Sequence, residues 1–203
     1  MSTTEADIVE LDRIAVQESL RVVASAGPAD WDRDTPCAGW SLRRLVAHMT
    51  AQHHGFAAAA RGAGQEAALW RESAAHPRDP ARTYRAAVTT LLAAFAEPGV
   101  TEREFDLPEL KGRFPGRIAV GFHFIDHVVH AWDVAASLGV GLELSGSVLE
   151  AASAVARRVP ADPALRGPGF AFAPALEVPS GADPLVETLR LLGRDPDEWP
   201  SAR

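Results

Sequence analysis

Between Arg117 and Leu138 the chain carries two stripes of opposite character, and a helix is the fold that separates them. At roughly 100° per residue, Phe122, Ile125, Val128, Val129, Trp132 and Ala136 fall on one face. His123, Asp126, His127, His130 and Asp133 fall on another. Gly139 stands just past the end, where a helix commonly stops. A long helix with so apolar a face needs partners to cover it.

The rest of the chain supplies them as further helices. Ile8, Leu11, Ala15 and Val22, widened by Val16, Leu20 and Val23, predict a helix from about Glu5 to Ala24, stopped by Gly27-Pro28. Ser41 caps a second helix that continues to Gly62, with Leu42, Leu45, Met49 and Phe56 toward the core. Residues 62–78 read as a broken helix end and a loop around Trp70. Asp79-Pro80 starts a third helix, with Tyr84, Val88, Leu91, Leu92 and Phe95 inward and Pro98-Gly99 as its stop. Residues 100–117 read as an irregular loop with a short extended piece. Ser147 and Glu150 have the spacing of a capping box opening a fifth helix, and Asp183-Pro184 starts a sixth with Leu185, Leu189 and Leu192. The proline- and glycine-rich residues 160–182 read as an ordered wrap. The expected fold class is all-α: one domain over 1–203, an up-and-down four-helix bundle (core about 5–140) with short C-terminal additions (141–203).

Composition removes several functions. A hydrophobic content of 47% with 23% charged residues argues against disorder, and a net charge of −7 argues against nucleic acid as a partner. No apolar run approaches the roughly 18 residues of a membrane span. The N-terminus is acidic and amphipathic, unlike a secretory signal. One cysteine, Cys37, excludes an intramolecular disulfide and suits a reducing compartment, so the expected location is cytoplasmic. Composition leaves the oligomeric state open.

Six of the seven histidines lie in two clusters: His48, His53 and His54, then His123, His127 and His130. Asp126 and His130 are i and i+4, so a carboxylate and an imidazole meet over one turn and can share a metal ion. A polar stripe opposite an apolar one is also what a solvated surface helix shows. Against that, these eleven residues, 123–133, hold three imidazoles and two Asp but no Lys or Arg. His48 lies at the edge of the core arc of its helix, with Gly55 two turns along leaving space beside it; a hydrogen-bonded core-edge histidine is the plainer reading. His53 is nearer the core but off the His48 line, and His54 points to solvent. A rival ligand set is His48 with His123 and His127, themselves i and i+4.

Thr35-Pro36-Cys37-Ala38-Gly39-Trp40-Ser41-Leu42, then Leu45-Val46-Ala47-His48, resembles the N-terminal domain of the mycothiol-dependent maleylpyruvate isomerase family, within the DinB-like superfamily of metal-binding bundles. Asp126-His127-Val128-Val129-His130-Ala131-Trp132-Asp133-Val134-Ala135 is the second matching block, and Leu192-Gly193-Arg194-Asp195-Pro196 is similar to short actinobacterial members. The resemblance implies a His, carboxylate, His site for one divalent metal, by position His48, Asp126 and His130. The isomerase is similar but carries a glutamate at the Asp126 position and a substantial second domain after the bundle.

Three protein ligands leave coordination positions open, the pattern of a catalytic site. Imidazoles with one carboxylate suit Zn, and also Ni, Fe or Mn. An open position can take a thiolate, which gives thiol dependence its physical sense: mycothiol as a low-molecular-weight thiol, a small electrophilic substrate, an isomerase or transferase reaction. Cys37 precedes the second helix, about 16 Å along the axis from His48, and reads as packing beside Trp40. A thiol-independent lyase or cyclase is the alternative, with His123, His127 and Asp133 as general acid or base. A metal- or ligand-binding module without turnover is the third.

Overall fold

In the computed structural model, which describes residues 7–72, 78–167 and 171–199, six α-helices follow the signals in the sequence. They are α1 (Ile8–Ala24), α2 (Leu42–Ala60), α3 (Pro80–Phe95), α4 (Gly116–Leu138), α5 (Gly146–Ala156) and α6 (Pro184–Leu191). The starts are held by side chains that accept from otherwise unpaired N–H groups. Asp7 accepts from Val9, Ser41 from Arg44, Asp79 from Arg82, and Asp183 from Leu185 and Val186. Gly139, at φ +71°, closes α4. Glu5 and Ala6, the expected first residues of α1, lie outside the described residues. No helix among the described residues is long and apolar enough to cross a membrane.

Two local expectations are corrected. The Ser147–Glu150 box does not form: Ser145 is the cap position of α5, its side chain pairs with the Ser147 hydroxyl at 3.0 Å, and no side-chain cap bond is made. The span read as an irregular loop with a short extended piece holds two such pieces paired as an antiparallel hairpin, β1 (Glu104–Leu107) with β2 (Gly112–Pro115). Phe105 and Leu107 alternate inward and are fully buried, which pins the hairpin to the bundle.

α1 packs on α4 and α3, and α2 packs on α3 and α4. Consecutive α1 and α2 therefore stand on a diagonal, joined by residues 25–41 crossing one end of the bundle. One core lies inside α1–α4 and includes Val16, Leu45, Met49, Tyr84, Leu91, Phe95 and Val120. A second lies on the far side of α4, where Phe124, Ile125, Val128, Val129 and Trp132 meet Val148, Ala152, Leu189 and Leu192 of α5 and the α6 region, with Leu11 and Ala15 of α1. Each large side chain sealed in this way contributes about 1.5–3 kcal/mol. This second core decides how α4 is turned. Its apolar face looks at the C-terminal helices, so its polar stripe looks into the bundle.

Candidate metal centre

The polar stripe of α4 is consequently interior. His123, His127 and Asp133 are fully enclosed and His130 nearly so, which removes the solvated-surface reading. α2 brings His48 and His53 to meet them. Among the described residues, three groups place three donor atoms within 4.8 Å of one another: His48, Asp126 and His130; His53, His123 and His127; Cys37, His130 and Asp133. The rival set of His48 with His123 and His127 is not among them; His53 occupies the place expected of His48.

The first group offers two imidazoles and a carboxylate, a donor set that could hold a metal ion. His130 Nδ1 donates to Asp133 Oδ2 at 2.9 Å, a carboxylate that holds the ring by that nitrogen and leaves the other to a second partner. That other nitrogen, Nε2, stands 3.4 Å from Asp126 Oδ1. The His48 ring lies edge-on to His130 at 5.4 Å, with Trp40 at 5.0 Å on its other side. His48 and Asp126 keep 21% and 24% of their side chains exposed, so the position between the three opens to solvent. The carboxylates of Glu72, 3.8 Å from His48 Nδ1, and Glu109, hydrogen-bonded to Gln52 one turn along α2, add negative potential. Burial pushes the His48 imidazolium down, yet Glu72, Asp126 and Glu109 outweigh it and raise its pKa. Burial pushes the Asp126 carboxyl up, and the imidazoles around it, His130 first, hold it below the usual range. These opposite shifts describe an imidazolium–carboxylate pairing, and a cation would have to displace the proton of that pair.

The second group is a buried, partly hydrogen-bonded cluster in which His53 Nε2 and His127 Nε2 have no hydrogen-bond partner. His123 Nδ1 and Asp12 Oδ1 are hydrogen-bonded at 2.6 Å, His53 Nδ1 lies 3.1 Å from His123 Nε2, and His127 Nδ1 donates to the His123 carbonyl at 3.0 Å. Both nitrogens of His123 are engaged. The His127 ring is stacked on His123 at 4.0 Å and on His53 at 4.4 Å, so the in-plane lone pairs run side by side instead of converging. Burial holds these rings neutral, lowering His123 to about 3 and His53 and His127 well below their ordinary value.

The third group already contains a cation. Arg194, just beyond α6, donates from Nε to Asp133 Oδ1 at 3.0 Å, and from Nη2 to Asp133 Oδ2 at 3.1 Å and Cys37 Sγ at 2.9 Å. Burial pushes the Cys37 thiol far up, with Asp133 adding to the rise, so it is protonated. Cys37 is thus beside His130 and Asp133, closer than its axial distance along α2 suggested, because residues 25–41 fold back over the bundle end.

Residues 13–135 match the mycothiol maleylpyruvate isomerase N-terminal domain. The chain belongs to that family. Two uncharacterised proteins from two strains of Mycobacterium tuberculosis are each 30% identical to it over 166 residues, 79% of this chain and 82% of theirs. Crystal structures of mycothiol-dependent maleylpyruvate isomerase and of a histidine-to-alanine mutant of it share the fold. Their TM-scores are 0.55 and 0.57, at 14% identity over 73% of this chain. The chain spans 66% of the length of that isomerase. As a family member it has the DinB-like bundle of α1–α4, to which α5 and α6 are added.

Sequence reasoning set His53 aside and gave no role to Asp12 or Arg194. Asp12 had a signal: it interrupts the buried stripe of α1 between Leu11 and Ala15. Gly55 was misread as space beside His48; the Trp70 indole fills that notch, where a Cβ would overlap the ring.

Proposed function

We propose that this chain is a metal-dependent enzyme acting on a small electrophilic substrate, as a thiol-dependent isomerase or transferase. The observation that carries the reading is the convergence of His130 Nε2, the Asp126 carboxylate and His48, with His48 and Asp126 partly exposed. A divalent ion held by these three residues, with zinc first and nickel, iron or manganese also suited, would supply Lewis acidity and favour a thiolate over a thiol. Mycothiol is the thiol that the family's name points to.

The chain's own residues prepare that position. Asp133 holds the plane of His130. Glu72, paired with His48 Nδ1 at 3.8 Å, and Glu109 lend negative charge. His127, whose Nδ1 is 3.9 Å from Asp126 Oδ2, and His123 behind it wall the carboxylate off from water on its inner side. We assign His123, His127 and Asp133 to this supporting role in the reaction.

The test is turnover of a maleyl-type electrophile by metal-loaded protein with mycothiol, with glutathione and with no thiol. A thiol of pKa about 8.5 is only a few per cent thiolate at neutral pH, so lowering that pKa by about two units raises the reactive form roughly tenfold or more. Mycothiol should therefore accelerate turnover at least about tenfold, and a chelator should abolish the gain. Equal rates in all three conditions would replace this reading with a thiol-independent lyase or cyclase. Bound metal without turnover on a broad electrophile panel would leave a binding module.

A further inference from the structure

The end of α6 is built to aim one side chain. The Gly193 N–H bonds to the Arg190 carbonyl at 3.1 Å and the Arg194 N–H to the Leu189 carbonyl at 2.8 Å, with Gly193 at φ +78°. This is the left-handed helix stop in which the chain reverses over the last turn. Leu192 is sealed in the second core, and a Cβ on Gly193 would overlap Ala173 of the wrap, so the turn is gripped on both sides. The next side chain, Arg194, is thereby driven into the protein, where its guanidinium fork grips both oxygens of Asp133 and touches Cys37 Sγ.

We propose that Arg194 is a positioning residue that holds His130 to one metal position by occupying the other. Two cation positions flank the His130 ring. On its Nε2 side lie Asp126 and His48; on its Nδ1 side lie Asp133 and Cys37. A thiolate, a carboxylate and an imidazole nitrogen would make the Nδ1 side the better site for a borderline-soft ion. Arg194 sits against it as a resident cation, so an ion there would face a guanidinium within bonding distance of the same two donors. With Asp133 neutralised by the fork, its Oδ2 is still free to accept from His130 Nδ1, and the ring presents Nε2 outward. A lysine could supply the charge but not the planar two-point grip. The C-terminal segment thus decides on which side of His130 a metal binds, and keeps the one thiol of the chain off it.

The inference rests on the reading that His48, Asp126 and His130 bind a metal, and cobalt(II) substitution separates the two. Wild-type protein should bind cobalt in a His48-dependent manner with no thiolate-to-cobalt charge-transfer band in the near ultraviolet. Arg194→Gln, checked for folding by circular dichroism, should gain that band, and Arg194→Gln with Cys37→Ser should lose it. Competition against a chelator should show the His48-dependent affinity lowered about 10- to 100-fold in Arg194→Gln, the usual cost of losing support behind a ligand. If Arg194→Gln does not fold, Arg194→Lys carries the test, with weaker affinity and no thiolate band expected. Folded variants with wild-type affinity and no band overturn the role of Arg194 alone. Absence of His48-dependent cobalt binding in the wild type overturns the metal reading and this one with it.

Discussion

Asp12 of α1 and His123 of α4 are joined by a 2.6 Å hydrogen bond with both side chains sealed from water. The bond ties α1 to α4 through a polar contact inside the bundle. Phe56 and Phe95 press on the His123 ring at 4.9 and 5.4 Å, so no water can take the place of the carboxylate.

Asp12→Ala should therefore lower stability by about 1–3 kcal/mol, the cost of a lost buried hydrogen bond that leaves a ring nitrogen without its partner. Chemical denaturation reads this as a shift in midpoint. An unchanged midpoint would show that the contact contributes nothing.

Stability of the metal-free protein should fall as pH drops below about 6.5, the ordinary histidine value. Burial lowers His123 to about 3 and His53 well below its normal range, so between those values the unfolded chain binds protons that the folded one refuses. Each imidazole then costs up to about 1.4 kcal/mol per pH unit. Asp12, whose carboxyl burial pushes well up, acts in the opposite sense above about pH 4 and offsets part of this slope. Denaturation midpoints from pH 7 to 4 should slope downward, and less steeply in His53→Gln. Parallel profiles for the two proteins would contradict the assignment.

Elemental analysis should find about one divalent ion per chain, as one three-ligand site implies. His48→Ala, Asp126→Ala and His130→Ala should each lose it on dialysis, whereas His53→Ala should retain it. Retention by His130→Ala with loss by His53→Ala would move the site to the stacked cluster.

Gly55→Ala should destabilise the fold by about 1–3 kcal/mol, as overpacking does. A Cβ there overlaps the Trp70 indole, which is itself held by a 2.8 Å bond from Nε1 to the Gly64 carbonyl. Tryptophan fluorescence and melting temperature would register the displaced ring. A wild-type melt would mean that the notch is roomier than the structure shows.

The residues of α1–α4 determined their own helices, because spacing, caps and stops act within a few residues: Ser41, Asp79-Pro80 and Gly139 each mark a boundary that the structure keeps. The pairing of Asp126 with His130 was legible for the same reason, since i and i+4 meet on any helix. Which way α4 faces was not. Periodicity assigns Trp132 and His130 to different faces, but only the covering of Trp132, Val128 and Phe124 by Leu189, Leu192 and Val148 turns the histidines inward. Arg194 was invisible for a related reason. It meets Asp133 across 61 positions of sequence, and only the packing of the α6 region on the second core brings them together. Local spacing put Asp126 beside His130; burial by distant segments decided which side chains of α2 meet them, which stack in the second cluster, and which are held by a guanidinium.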